Sequence, residues 1–141
     1  MDYRRFGKTL VCRIDRGEEV LECLEKLAAS EHIHLAEVRG LGAVDDFVVG
    51  LYDVEKQEYL KNHFTFPAEI TNLWGTINTM DGNYYAHLHM SVADAEGHVF
   101  GGHLNEAHVA ATCEMLITEI DGTVDRYHDD SIGLNLFRFV D

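Results

Sequence analysis

A period-two stretch, YYAHLHMSVA at residues 84–93, constrains this chain more than any other segment. In an extended backbone Tyr84, Ala86, Leu88, Met90 and Val92 point to one side, and Tyr85, His87, His89 and Ser91 point to the other. The first face reads as core and the second as a polar face, so the segment is a half-buried strand. Similar strand-like runs recur as HLAEVRG, FVVGLYDV, HFTFPAEITNLWGTI, VFGGHL and ATCEMLITEI, separated by Gly, Asp and Asn. A further strand is expected at about Lys8 to Ile14, and LNLFRFV forms a last one. The sole proline, Pro67, marks a strand start or edge. Helical spacing is clear only in EEVLECLEKLAA, where Val20, Leu21, Leu24, Leu27 and Ala28 share a face and Glu18 and Glu19 fall in the first turn. A short helical turn is also expected near Asn105 to Ala110. Helices do not recur between strands as parallel crossovers require, so doubly wound α/β is disfavoured. The expected fold is α+β: a largely antiparallel mixed sheet with one main helix packed on it. The 141 residues suit one domain, 1–141.

The strand ending at Ala93 leads into DAEGH. A three-residue loop of Ala95, Glu96 and Gly97, with glycine in the left-handed conformation, pairs Asp94 with His98. Stepping back along both strands sets His89 opposite His103. His87, His89 and His103 then face the same way and converge on one point. Opposed β-carbons lie about 4.5 to 5.5 Å apart, close enough for imidazoles to share an ion. A two-residue turn would send His103 to the wrong face. His32 and His34 repeat the His-x-His triplet without a third partner nearby, so they are read as surface residues. His108 is a weaker candidate that follows Asn105 and Glu106. Three imidazoles without a thiolate suit zinc best, with other divalent transition metals as alternatives, and leave a fourth position open.

Eleven Lys and Arg against 25 Asp and Glu give a net charge of −14, which works against phosphate-backbone binding. Arg4, Arg5, Lys8, Arg13 and Arg16 form a local basic cluster, read as cations protecting a strand edge. No stretch approaches the roughly 20 apolar residues of a membrane span, and the amino terminus lacks the apolar core of a secretory signal. Cys12, Cys23 and Cys113 are odd in number and scattered, as reduced buried thiols would be. A cytoplasmic location follows as an expectation.

The ordered segments RGEEVLECL, VRGLGAV, FPAEITNLWGTI, HLHMSVAD and GHVFGGHL resemble the plants-and-prokaryotes-conserved domain over about residues 8–120. The most specific part is His-x-His followed by FGGH. The resemblance implies an antiparallel sheet with a helix against it, assembly as a homotrimer, and metal ligation by His87, His89 and His103. In plants this domain accompanies an Arg-Gly-Arg-type AT-hook, which is absent here, so direct nucleic-acid binding is disfavoured. The histidine pattern is also similar to that of the zinc-dependent acetolactate decarboxylases. Two functions follow. One is a metal-binding module with an interaction or regulatory role, holding a protein partner or small molecule at the metal. The other is a zinc enzyme acting on a small oxygen-containing substrate, its assistants drawn from Glu37, Arg39, Tyr85 or Glu106. The apolar bulk of Phe64, Phe66, Ile70, Leu73, Trp74 and Ile77 is expected to be covered in part by another subunit.

Overall fold

The computed structural model describes residues 1–139. The elements are β1 (Asp2–Phe6), β2 (Thr9–Asp15), α1 (Val20–Glu31), β3 (Ala36–Asp53), β4 (Glu58–Phe64), β5 (Ala68–Met80), β6 (Asn83–Ala93), β7 (Val99–Glu119), β8 (Asp125–Asp129) and β9 (Leu134–Arg138). A seven-stranded sheet runs β1-β2-β7-β6-β5-β3-β4, and β8 and β9 form a separate pair. Every pairing between these strands is antiparallel, so the sheet is not mixed as expected. The fold is α+β, with a single helix packed on a large antiparallel sheet.

Two long strands bend the sheet back on itself. Val38 of β3 pairs with Gly75 of β5 on one side and Ile117 of β7 on the other, which closes β3, β5, β6 and β7 into a ring. Closure removes the edges that these four strands would otherwise expose. Leu73, Ile77, Leu88, Met90 and Ile117 are among its fully buried residues. Helix α1 lies against β6 and β7 and buries Val20, Cys23, Leu24, Leu27 and Ala28. Glu19 precedes the helix as its N-cap, with Glu18 before it, so neither lies in the first turn as expected. The Glu19 carboxylate accepts from the Glu22 amide at 2.7 Å and the Ala107 amide at 2.9 Å, fixing the helix start to β7.

The expected helical turn at Asn105 to Ala110 is part of β7. Leu104, Ala107 and Val109 are buried at a three-then-two spacing because the register slips opposite Val48 and Val49. The bulge reproduces a helical step without a helix. The segments HLAEVRG and FVVGLYDV are likewise one bulged strand, β3, and VFGGHL and ATCEMLITEI are both parts of β7. Pro67 immediately precedes β5. Residues 134–138 of LNLFRFV form β9, while Val140 of that run lies outside the described residues.

Most of the apolar bulk between Phe64 and Ile77 is satisfied within the chain. Ile70, Leu73 and Ile77 are buried, and Phe64 and Phe66 join Phe47 and Phe100 in an aromatic cluster with centroids 5.1 to 5.6 Å apart. Trp74 is the large exception, 50% exposed. Cys12, Cys23 and Cys113 are free and buried, and burial pushes the Cys12 thiol up to about 11 and Cys113 to about 12. Both therefore stay protonated and weakly nucleophilic. Among the described residues no helix is long and apolar enough to cross a membrane.

Candidate metal centre

The turn between β6 and β7 sets the site. Gly97 takes φ +83°, its amide donates to the Asp94 carbonyl at 3.1 Å, and the Asp94 amide donates to the His98 carbonyl at 3.1 Å. Asp94 Oδ1 also accepts from the Glu96 and His98 amides at 3.0 and 2.8 Å. The loop is thus the three residues Ala95, Glu96 and Gly97, and His89 pairs directly with His103.

His87, His89 and His103 converge. Their ring centroids are 5.1 to 5.7 Å apart, and one ligand nitrogen from each lies within 4.8 Å of the other two. Nitrogens around a tetrahedral zinc would sit about 3.3 Å apart, so the three rings would have to draw closer to share one ion. The donor chemistry fits a divalent transition metal with one position left for another ligand. His87 and His103 are half-buried and His89 is exposed. Burial lowers the His103 pKa to about 4, helped by the neighbouring histidines and Lys61. Burial lowers His87 also, followed by the Arg126 charge and His89. Both imidazoles are held neutral, the form that binds metal.

The surroundings come from four strands and a hairpin. Tyr59 of β4 meets the His103 ring edge-on at 5.3 Å. Trp74 stands opposite His89, Thr76 opposite His87 and Asn78 opposite Tyr85. Of the four possible assistants, Tyr85 lies two residues before His87 on the same face. Glu37 and Arg39 are one strand farther away: the Glu37 carboxylate accepts from Trp74 Nε1 and Arg39 Nε, both at 2.8 Å. Glu106 instead meets His108 Nε2 at 2.9 Å. Arg126, which sequence reasoning missed, stacks on Tyr85 with its guanidinium carbon 4.6 Å from the ring centroid. Nothing local marks it, because its placement depends on how β8 docks.

Other polar clusters are accounted for differently. His32 ends α1 in the left-handed conformation, and His32 and His34 are exposed. Asp94, Glu96 and His98 also bring ligand atoms within 4.8 Å, but Asp94 is occupied by the turn amides. In the basic cluster Arg4 meets Asp2, Arg5 meets Glu31 and Glu119, Lys8 meets Asp121, and Arg13 meets Asp15.

The fold and sequence both have known counterparts. A metal-containing protein from Archaeoglobus fulgidus is 32% identical with TM-score 0.88, over 99% of each chain. A candidate DNA-binding protein from Bacteroides thetaiotaomicron superposes with TM-score 0.95 at 24% identity, over 98% of this chain and 96% of that one. The α-acetolactate decarboxylase of Bacillus subtilis shares the fold at TM-score 0.60 and 17% identity, over 86% of this chain and 57% of that enzyme. No curated protein matches the chain. The family profile described as the Plants and Prokaryotes Conserved (PCC) domain matches residues 1–121, and the chain belongs to that family.

Proposed function

We propose that this protein is a homotrimeric, zinc-binding module that holds a small molecule or a protein partner at the open metal position, in an interaction or regulatory role. The observation that carries the reading is the convergence of three imidazole nitrogens within 4.8 Å. Two of those rings are also held neutral by burial. Three neutral nitrogen ligands suit zinc and leave the metal able to take a further ligand. The metal-containing Archaeoglobus relative supports it.

The trimer is supported by an unbroken transverse row on the outer face. Val11, Leu116, Arg39, Trp74, His89 and His103 are successive cross-strand partners. Val11, Leu116 and Trp74 are 44%, 48% and 50% exposed, so a largely apolar band, interrupted by the exposed Arg39–Glu37 ion pair, runs up to the histidines. Such a band is suited to burial by symmetric copies. The reading has no direct DNA contact, supported by the −14 charge and by the carboxylate partners of Arg4, Arg5, Lys8 and Arg13. A cytoplasmic location accords with three free thiols.

The test is elemental analysis of protein purified without an affinity tag, together with light scattering. The expected results are one zinc per chain and a mass of three 16.0 kDa chains. Absence of bound metal after incubation with zinc overturns the metal reading, and a stable monomer overturns the assembly.

A second reading, a zinc enzyme acting on a small oxygen-containing substrate, is favoured by Tyr85. Its hydroxyl accepts from Asn135 Nδ2 at 3.3 Å while its ring lies under Arg126, beside His87. This fixes a proton-bearing side chain on the strand face that carries His87. A metal-bound structure in which Tyr85 faces solvent away from the open metal position removes the reading.

A further inference from the structure

Arg126 lies in the hairpin of β8 and β9, beyond residues 1–121 matched by the family. The hairpin covers the outer face of β5 and β6 next to the histidines. It is anchored where the Thr79 amide donates to the Val124 carbonyl at 3.2 Å and Thr79 Oγ1 donates to Asp125 Oδ1 at 2.8 Å. Asn78 shares the outward strand face with Trp74 and Thr76, yet it is fully buried because Arg126 lies on it. Hairpin and metal centre are therefore neighbours along β6: Tyr85 is opposite Asn78, and His87 opposite Thr76. Successive same-face positions on a strand are about 6.6 Å apart.

Arg126 is only 5% exposed. Its guanidinium sits between the rings of Tyr85 and Phe137, at 4.6 and 4.4 Å from their centroids. Nε donates to Asn78 Oδ1 at 3.2 Å and Nη1 to the Asn135 carbonyl at 2.6 Å. Both acceptors are neutral, and no carboxylate lies within ion-pair distance of Arg126 among the described residues. A buried guanidinium without a counter-ion is costly, and aromatic stacking offsets only part of that cost. The fork has five N–H donors, of which these contacts use two. Nη2 has no hydrogen-bond partner among the described residues, yet it is not fully enclosed as Tyr84 Oη and Thr112 Oγ1 are.

We propose that the free end of Arg126 and the three-histidine centre together form a site for a small carboxylate-bearing ligand, whose oxygen completes the metal coordination while Arg126 balances its charge. The proposal rests on the metal reading above and names the ligand class of that centre. A divalent cation and an unneutralised guanidinium on a partly desolvated wall favour an anion over a neutral molecule of the same shape. The family-matched part of the chain would supply the metal ligands, and the carboxy-terminal hairpin would supply the preference for charge.

The test uses the full chain loaded with cobalt(II), titrated with acetate or acetamide and followed by the cobalt absorption spectrum. Arg126→Gln is expected to weaken acetate binding about tenfold while cobalt content and acetamide binding stay unchanged, and Arg126→Lys to retain acetate binding within about threefold. Asn78→Asp, nearly isosteric, places a carboxylate against Arg126 and should weaken acetate by a similar factor; it decides the matter if Arg126→Gln does not fold. Acetate affinity unchanged in the folded variants overturns the proposal and leaves the metal reading standing. Equal loss of acetate and acetamide also overturns it, since Arg126 would then only hold the hairpin. A parent protein that takes up no cobalt overturns both.

Discussion

The chain contains the His-x-His triplet twice, and the two copies meet different fates. His32-Ile33-His34 follows α1, where His32 takes φ 54° as the helix cap, Ile33 is buried and both histidines are exposed. His87-Leu88-His89 lies within β6, where Leu88 is buried and both imidazoles turn outward towards His103 on β7. Local spacing is identical. The difference lies in the strand next door, because a β-strand places alternate residues on one face and a register-matched neighbour adds a third imidazole. A short motif therefore acquires chemistry only through the pairing that surrounds it.

The sharpest way to break this contrast is to remove the cross-strand member. His103→Ala is expected to lower metal content from one per chain to near zero, because two imidazoles on one strand make an incomplete site. His34→Ala, at the other triplet, should leave it unchanged. Elemental analysis of the two variants side by side checks this, and equal occupancy in parent and His103→Ala removes the assignment.

The next largest effect is expected at Gly75, which holds the two strands behind the histidines together. A β-carbon there would lie 2.1 Å from the His87 carbonyl oxygen and 2.6 Å from the Leu88 Cα. Both contacts are backbone, so Gly75→Ala must push β5 away from β6. The expected cost is about 3 kcal/mol, the upper part of the overpacking range, with weakened metal affinity. Urea denaturation and a zinc-competition titration measure the two effects. A variant as stable as the parent would show that the closure at Gly75 does not hold the site in place.

How far the contrast was legible in sequence depends on the range of the interactions. The Asp94 to His98 turn is local, since Gly97 supplies the left-handed residue and Asp94 caps the turn, so the His89–His103 register could be counted from the sequence. The alternation of Leu88 and Met90 with His87 and His89 was equally readable. The closure of β3 against β7 was not, because it joins residues tens of positions apart through bulges that leave only disrupted periodicity. The same disruption made Asn105 to Ala110 look helical. β8 went unseen because DRYHD carries no apolar alternation, and Arg126 with it. Its burial comes from Tyr85, Phe137 and Asn78, which lie on three other strands.

A pH experiment sharpens the contrast from the side of electrostatics. The folded His103 has its pKa lowered to about 4, and His87 is lowered too, while an unfolded histidine titrates near 6.5. Between those values the unfolded chain binds more protons than the folded one. The stability contributed by the neutral rings is thus fully present above about pH 6.5 and is lost as the pH falls towards 4. Metal-free protein should therefore show a falling urea midpoint between pH 7 and pH 5, and His103→Ala should show a shallower fall. Parallel curves for the two proteins would mean that desolvation at His103 does not contribute to folding stability.

The smallest expected effect is at the turn that sets the register. Gly97 has φ +83°, and a methyl group placed on its Cα would have nothing within 4 Å, so Gly97→Ala meets no clash and bears only the backbone penalty. That penalty is about 1 kcal/mol, a fall of roughly 2 to 4 °C in Tm for a chain of this size. The Asp94 carboxylate continues to cap the Glu96 and His98 amides, so the loop should keep its length and the histidines their alignment. Metal affinity should accordingly be nearly unchanged while Tm falls. Loss of metal with little change in Tm would reverse this ordering: it would mean that the turn can relax into the two-residue form, rotating His103 away from His89 without unfolding the strands.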